Sequence, residues 1–200
     1  MYDWHVGIDE VGRGCLAGPV SVGVCAVRNE KAEMLFSEFD IVDSKKINEK
    51  KRYEKADALE KHIDAGDIVY HVSDITADII DEKGIQYAIT TALENALQEV
   101  LKNISGSYKV FLDGGLKTKQ DCEQETIVRG DGKILSISFA SILAKVQRDR
   151  YMIEQDDIYE GYGFSAHKGY GTKVHREMIA QKGFTKLHRK SFCKNINIEL

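Results

Sequence analysis

A single proline, Pro19, most constrains what this chain can fold into. It stands between the glycine turn of "GIDEVGRGCLAG" (7–18) and the β-branched run "VSVGVCAV" (20–27), and it decides how that turn continues. Gly12, Gly14 and Ala17 have the G-x-G-x-x-A spacing of a dinucleotide-binding turn, which works by opening a helix whose N-terminus receives a pyrophosphate. Pro19 would fall within the first turns of that helix, and the residues after it alternate as a strand does. Asp9 and Glu10, directly ahead of the glycines, would also repel the pyrophosphate. The segment therefore predicts a short strand over 5–9, a tight turn, and a second strand over 19–27 that pairs back on the first.

Helical spacing follows over 30–39 and 48–64, the latter with Asn48 as N-cap, and "DIVYHVSDI" (67–75) is rich enough in β-branched and aromatic residues to be a third strand. From Ile85 to Leu101 apolar residues recur at helical intervals and make a strongly amphipathic helix. "YKVFLDGG" (108–115) reads as a buried strand that ends in an acid and two glycines. A long helix is expected over 136–157, with Phe139, Ile142, Leu143, Val146 and Ile153 on one face and Ser141, Lys145 and Arg148 on another. The glycine-rich "GYGFSAHKGYGTKVH" (161–175) is a loop, with Thr172 capping a last helix to about Lys182. An opening hairpin followed by alternating helices and strands predicts an α/β fold with a mixed sheet. Two hundred residues suffice for one domain, 1–200, with the part from about 160 to 200 as a C-terminal helical extension.

The formal net charge of −4 is unevenly spread. From Ser165 to Lys194 eight Lys or Arg face Glu177 alone, so that segment carries +7 and the remainder −11. A second basic cluster, "KKINEKKRYEK" (45–55), lies in the acidic part. Such local patches can receive phosphates although the total is acidic. No apolar run approaches the roughly 20 residues that cross a bilayer, and the N-terminus lacks a basic-then-apolar leader, so a soluble cytoplasmic protein without a membrane partner is expected. Cys15, Cys25, Cys122 and Cys193 are widely spaced without a C-x-x-C, which indicates reduced, packed thiols and neither zinc site nor disulfide framework.

Acids ahead of a turn suit divalent cations that in turn hold phosphate. Mg²⁺ takes carboxylate and water oxygens, commonly one or two protein carboxylates per ion. Two ions would need about four acids. Asp9 and Glu10 supply two, given a strand end where neighbours can share a site. Asp113 is the natural third, because ligand sites in α/β sheets gather at the carboxyl ends of strands. For the fourth, Asp131 and Asp149 both remain candidates. Asp149 has another explanation as the i+4 ion-pair partner of Lys145, whereas Asp131 sits between glycines with no evident structural duty, which favours it.

"GIDEVGRGCLAGPV" (7–20) resembles the opening D-E-A-G-R-G-P-x-x-G-P-V motif of the ribonuclease HII family, the prokaryotic type 2 ribonucleases H. "DSKKINEKKR" (43–52), "FLDG" (111–114), "RGD" (129–131), "ASILAKVQRDR" (140–150) and "YGFSAHKGYGTKVH" (162–175) follow in the family's order. The resemblance implies a ribonuclease H-like mixed five-stranded sheet flanked by helices, and a D-E-D-D site of Asp9, Glu10, Asp113 and Asp131 that is both catalytic and metal-binding for two ions, Mg²⁺ or Mn²⁺. It also implies that Gly12, Arg13 and Gly14 read the 2′-hydroxyl of a ribonucleotide, that Tyr170 abuts the sugar at an RNA-to-DNA junction, and that Lys45, Lys46, Ser141 and Lys145 contact backbone phosphates. The implied activity is endonucleolytic hydrolysis of RNA in RNA/DNA hybrids and 5′ of single ribonucleotides in duplex DNA, by a monomer, leaving 3′-hydroxyl and 5′-phosphate ends. Two departures lie beside the site: Cys15 where the family usually has proline, and Val11 where it usually has alanine. The latter is the residue of the sister type ribonuclease HIII, against which Arg13 speaks. The chain also lacks the prolines that often precede its H-R-x-S-F segment. A non-catalytic nucleic-acid binder on the same fold would be expected to have lost an acid, and a Mg²⁺-dependent phosphotransferase should show a Walker A loop or a nucleophilic Asp; neither mark is present.

Overall fold

The computed structural model describes residues 2–39 and 47–198. Its centre is a five-stranded sheet in the order β3-β2-β1-β4-β5. The strands are β1 (Trp4–Val11), β2 (Val20–Arg28), β3 (Ile68–Ile75), β4 (Tyr108–Asp113) and β5 (Gln124–Ile127). The first three form an antiparallel meander, and β4 and β5 run parallel to β1. The expected mixed sheet is present, built on the expected opening hairpin. β1 runs through Val11 rather than ending at Asp9, because its ladder with β2 continues to the pair Val11↔Ser21.

Side-chain alternation divides the sheet into two faces. Trp4, Val6 and Ile8 of β1, with Val110 and Leu112 of β4, pack against α3 (Ala77–Lys83) and the amphipathic α4 (Ile85–Lys102). Cys25 and Val27 on the opposite face pack against α1 (Ala32–Phe39), α2 (Glu49–Asp64) and the long α5 (Leu135–Ile158). Asn48 caps α2 as expected, its side chain accepting the Lys51 N–H at 2.9 Å. Within α5, Phe139, Ile142, Leu143 and Val146 are buried, but Ile153 is exposed, since the helix has by then run past the sheet.

Two glycines let α5 lie directly on the strands. A Cβ at Gly7 would stand 2.1 Å from the Ser136 carbonyl carbon, and one at Gly23 would stand 2.5 Å from the Ala140 oxygen. After α5 the chain forms the single turn α6 (Phe164–His167) and α7 (Lys173–Lys182), which is capped by Thr172 as expected. The segment beyond α7 returns to the glycine turn, where Arg189 N–H donates to the Leu16 carbonyl at 2.8 Å and Gly18 N–H to Leu187 at 2.9 Å. Cys15, Cys25 and Cys193 are buried, and all four cysteines are free thiols. No helix among the described residues is long and apolar enough to cross a membrane.

Candidate active site

The parallel ladder of β1 and β4 ends with Ile8 beside Leu112, so the next residue of each strand, Asp9 and Asp113, emerges at the carboxyl end of the sheet. Asp9 alternates with Gly7 and therefore lies on the α5 side, where Ser141 hydrogen-bonds its carboxylate. Asp113 Oδ1 accepts the Gly130 N–H at 2.6 Å, which ties the strand end to the loop after β5. In that loop Arg129 adopts a left-handed φ of 56° and starts a tight turn, Gly130–Gly132, that presents a buried Asp131. Non-glycine residues take this conformation only when their surroundings impose it. Glu10 is half-buried and lies 3.3 Å from Arg13 Nη1.

These acids share one electrostatic field. Burial, followed by the charges of Asp113, Glu10 and Asp131, pushes the Asp9 carboxyl up to about 7, against the opposing hydrogen bond from Ser141. Burial likewise raises Glu10, opposed by Arg13 and assisted by Asp113. Concentrated carboxylate charge of this kind disfavours itself and favours a cation. All four prospective ligands are hard oxygen donors, the set that suits Mg²⁺ or Mn²⁺, so the residues fit a divalent ion. Among the described residues no three His, Cys, Asp or Glu side chains close on a single point as they stand.

A recess of about 220 Å³ opens beside Asp9 and Glu10, lined by Gly12, Arg13, Gly14, Arg52, Ser141, Lys145 and Tyr170 among others. Tyr170 arrives there because the Gly169 carbonyl accepts the N–H groups of Leu16, at 2.8 Å, and Ala17, at 3.3 Å. Gly169 has φ +86°, and a Cβ on it would stand 2.2 Å from the Ala17 oxygen. The Lys145 ammonium lies 5.5 Å from the centre of the Tyr170 ring. The glycine turn, Ser141, Lys145 and Tyr170 are thus gathered with Asp9 and Glu10, while Asp113 and Asp131 join through their charge on Asp9. Lys45 and Lys46 lie outside the described residues.

Asp149 has the duty that the i+4 spacing foresees: its buried carboxylate is 2.6 Å from Lys145 Nζ and 3.8 Å from Arg52 Nη1. Arg52 was visible in the sequence only as one member of a basic cluster, and its place in the recess follows from the packing of α2 on α5. A larger cavity of about 750 Å³ lies on the other side of the turn, between Pro19, Asp81, Tyr151 and Phe184. Of its two acids, Asp78 and Asp81, the latter is engaged by the N–H groups of Lys190, at 2.8 Å, and Ser191, at 3.0 Å.

The sheet order and the acids at the ends of β1 and β4 place the molecule in the ribonuclease H-like class. The ribonuclease H2 of Pyrococcus horikoshii OT3 superposes with a TM-score of 0.72 over 96% of both chains, at 23% identity. A Bst ribonuclease HIII solved in complex with Mn²⁺ superposes with a TM-score of 0.72 over 96% of this chain and 68% of that one, at 15% identity. In sequence, the ribonuclease HII of Fusobacterium nucleatum subsp. nucleatum is 44% identical over 195 residues, covering 96% of this chain and 86% of the relative. The family model for ribonuclease HII matches residues 6–195, and the chain belongs to that family. It is accordingly an endoribonuclease of the ribonuclease H type, a metal-dependent hydrolase.

Proposed function

We propose that this protein hydrolyses the RNA strand of RNA/DNA hybrids and cuts 5′ of single ribonucleotides embedded in duplex DNA, leaving 3′-hydroxyl and 5′-phosphate ends. The observation that carries this reading is the convergence, at the carboxyl ends of β1 and β4, of a buried acid site with a glycine turn and an exposed aromatic ring. Asp9, Glu10, Asp113 and Asp131 would hold two divalent ions, Mg²⁺ or Mn²⁺. When bound, the pair lowers the pKa of an attacking water and stabilises the leaving 3′-oxygen. Ser141 orients Asp9, and the Gly130 N–H orients Asp113. Lys145 and Arg52 supply cationic charge for the phosphates, and Lys45 and Lys46 extend this contact. Gly12, Arg13 and Gly14 bring backbone to the 2′-hydroxyl, the group that separates RNA from DNA. Tyr170, 42% exposed, offers its ring to the neighbouring sugar. The reading takes the protein as a monomer acting in the cytoplasm, with residues 1–200 as one domain whose end beyond about 160 carries an excess of basic residues suited to a phosphate backbone.

The test is cleavage of a DNA duplex bearing one ribonucleotide, with Mg²⁺, with Mn²⁺ and with EDTA, for the wild type and Asp113→Asn. Cutting 5′ of the ribonucleotide by the metal-loaded wild type is expected, with loss to the EDTA level in the variant. Cutting in EDTA, or full activity in Asp113→Asn, would overturn the reading.

A further inference from the structure

Two arginines lie wholly inside the protein behind the glycine turn: Arg148 of α5 is 1% exposed and Arg189 is 0% exposed. Among the described residues neither makes an ion pair with a carboxylate. Their donors go to main-chain oxygens instead, except Arg189 Nη2, which is buried without a hydrogen-bond partner among the described residues. Arg148 Nε donates to Pro19 O at 2.9 Å, Nη2 to Ala17 O at 3.1 Å and Nη1 to Lys168 O at 2.9 Å. Arg189 Nε donates to Gly18 O at 3.0 Å and Nη1 to Arg13 O at 3.0 Å. Five carbonyls of the turn and of the loop carrying Tyr170 thus converge on two guanidiniums. Burying a cation without a counter-ion is unfavourable. Burial together with the nearby Arg148 charge lowers even Arg189, to about 10. What this arrangement provides in return is the positioning of the carbonyls it binds.

Its geometric effect follows from the planarity of the peptide unit. In a trans peptide the N–H points opposite to the preceding C=O. With Arg13 O drawn inward to Arg189, the Gly14 N–H is directed away from that guanidinium, and Gly14 itself lines the recess. A Cβ on Gly14 would meet no protein atom within 4 Å, so open space lies beside its α-carbon.

We infer that Arg148 and Arg189 are positioning residues for sugar discrimination: by drawing the carbonyls of the turn inward they aim the Gly14 N–H at the 2′-oxygen of the ribose and fix the turn against the Tyr170 loop. This rests on the proposed reading that the turn meets the 2′-hydroxyl. The same clamp would hold the turn at Cys15, where the sequence has no proline. Cys15 N–H donates to Gly12 O at 3.3 Å, a bond no proline could make, and the guanidiniums hold the rest of the loop.

Arg189→Lys tests the inference, because a lysine keeps the charge but cannot bridge two carbonyls as a planar fork does. Single-turnover rates are compared on two duplexes that differ only in 2′-hydroxyl or 2′-fluoro at the one cleavable nucleotide. The wild type is expected to favour the hydroxyl. In the variant that preference should shrink by roughly tenfold or more, with the half-saturating enzyme concentration for the hydroxyl duplex little changed and its maximal single-turnover rate lowered by up to about 10². A merely structural role would slow both substrates equally and leave the ratio intact, which would overturn the inference. A wild type that cuts neither duplex, or cuts both equally, would instead remove the reading of the turn on which it rests. Amide exchange gives a second measure without substrate: in Arg189→Lys, or in Arg148→Lys where the former does not fold, exchange of 12–18 should accelerate while the β1–β2 ladder stays protected. Unchanged exchange in 12–18 would also count against the clamp.

Discussion

Gly12 leaves the space that the Arg148 guanidinium fills: a Cβ on this residue, whose φ is +82°, would stand 2.3 Å from Arg148 Nε. Gly14, two residues on, has open space where its side chain would be. The two glycines therefore separate under substitution. Gly12→Ala should lose roughly 1–2 kcal/mol to left-handed backbone and about 1–3 kcal/mol more to the clash, visible as a fall in the thermal midpoint. Gly14→Ala should melt like the wild type and yet cut a ribonucleotide-bearing duplex poorly. A large loss of stability in Gly14→Ala would show that the protein, not the substrate, requires that glycine.

Relief of carboxylate repulsion should be measurable as stability. In EDTA at pH 8, Asp113→Asn removes one of the charges that act on Asp9 while its side-chain oxygen can still accept the Gly130 N–H. Its thermal midpoint should lie above that of the wild type. Added Mg²⁺ or Mn²⁺ should raise the wild type by mass action and move the variant far less. A variant that melts lower in EDTA and gains as much from metal would contradict the shared field.

Asp131 and Asp149 should part company in the same assays. Asp149→Asn leaves Lys145 and Arg52 without their buried counter-charge, for a loss of about 1.5–3 kcal/mol, while cleavage per folded molecule persists. Asp131→Asn should stay folded and lose cleavage. The reverse pattern would reassign the fourth acid.

Acid sensitivity is built in below the Tyr170 loop. His188 Nδ1 accepts from Thr185 N–H at 2.8 Å, so its Nε2–H donates to His175 Nε2 at 3.2 Å, and His175 Nδ1–H donates to Tyr170 O at 2.9 Å. Both rings are neutral in this pattern, and burial holds His175 and His188 at about 4 against an ordinary 6.5. Between these values the unfolded chain binds protons that the folded one refuses. Stability is therefore complete above pH 6.5 and is lost as pH falls toward 4, by up to about 3 kcal/mol per imidazole. Urea midpoints at pH 7 and 4.5 should show the loss, and His175→Gln should remove about half of it, since His188 stays buried.

The hairpin, the helices α2, α4 and α5 and the acids at strand ends were legible because each rests on local chemistry: alternation, helical spacing, a cap, a carboxylate beside a turn. β5 was not, being four residues with three exposed, and seven-residue α3 is too short to establish a period. Asp131 and Asp149 were separated weakly by the i+4 ion-pair duty of Asp149 and more firmly by motif order, since both positions are chemically sensible. Arg148 and Arg189 were least legible. Helical spacing placed Arg148 on the face of Ser141 and Lys145, but its partner Pro19 lies 129 positions away and Arg189's partner Arg13 lies 176 away. Burial of a cation against carbonyls leaves no local pattern in a sequence.

α5 meets Gly7 through Ser136 and Ile137, Gly23 through Ala140, Asp9 through Ser141 and the glycine turn through Arg148. These contacts fall on one stripe of a helix in which each residue turns by about 100°. One inserted or deleted residue between Ile137 and Arg148 would put every later contact out of phase, and no substitution elsewhere could restore it. Loops of this protein can drift in length, whereas this stretch is a fixed ruler, and its residue count is as much a part of the active site as any side chain.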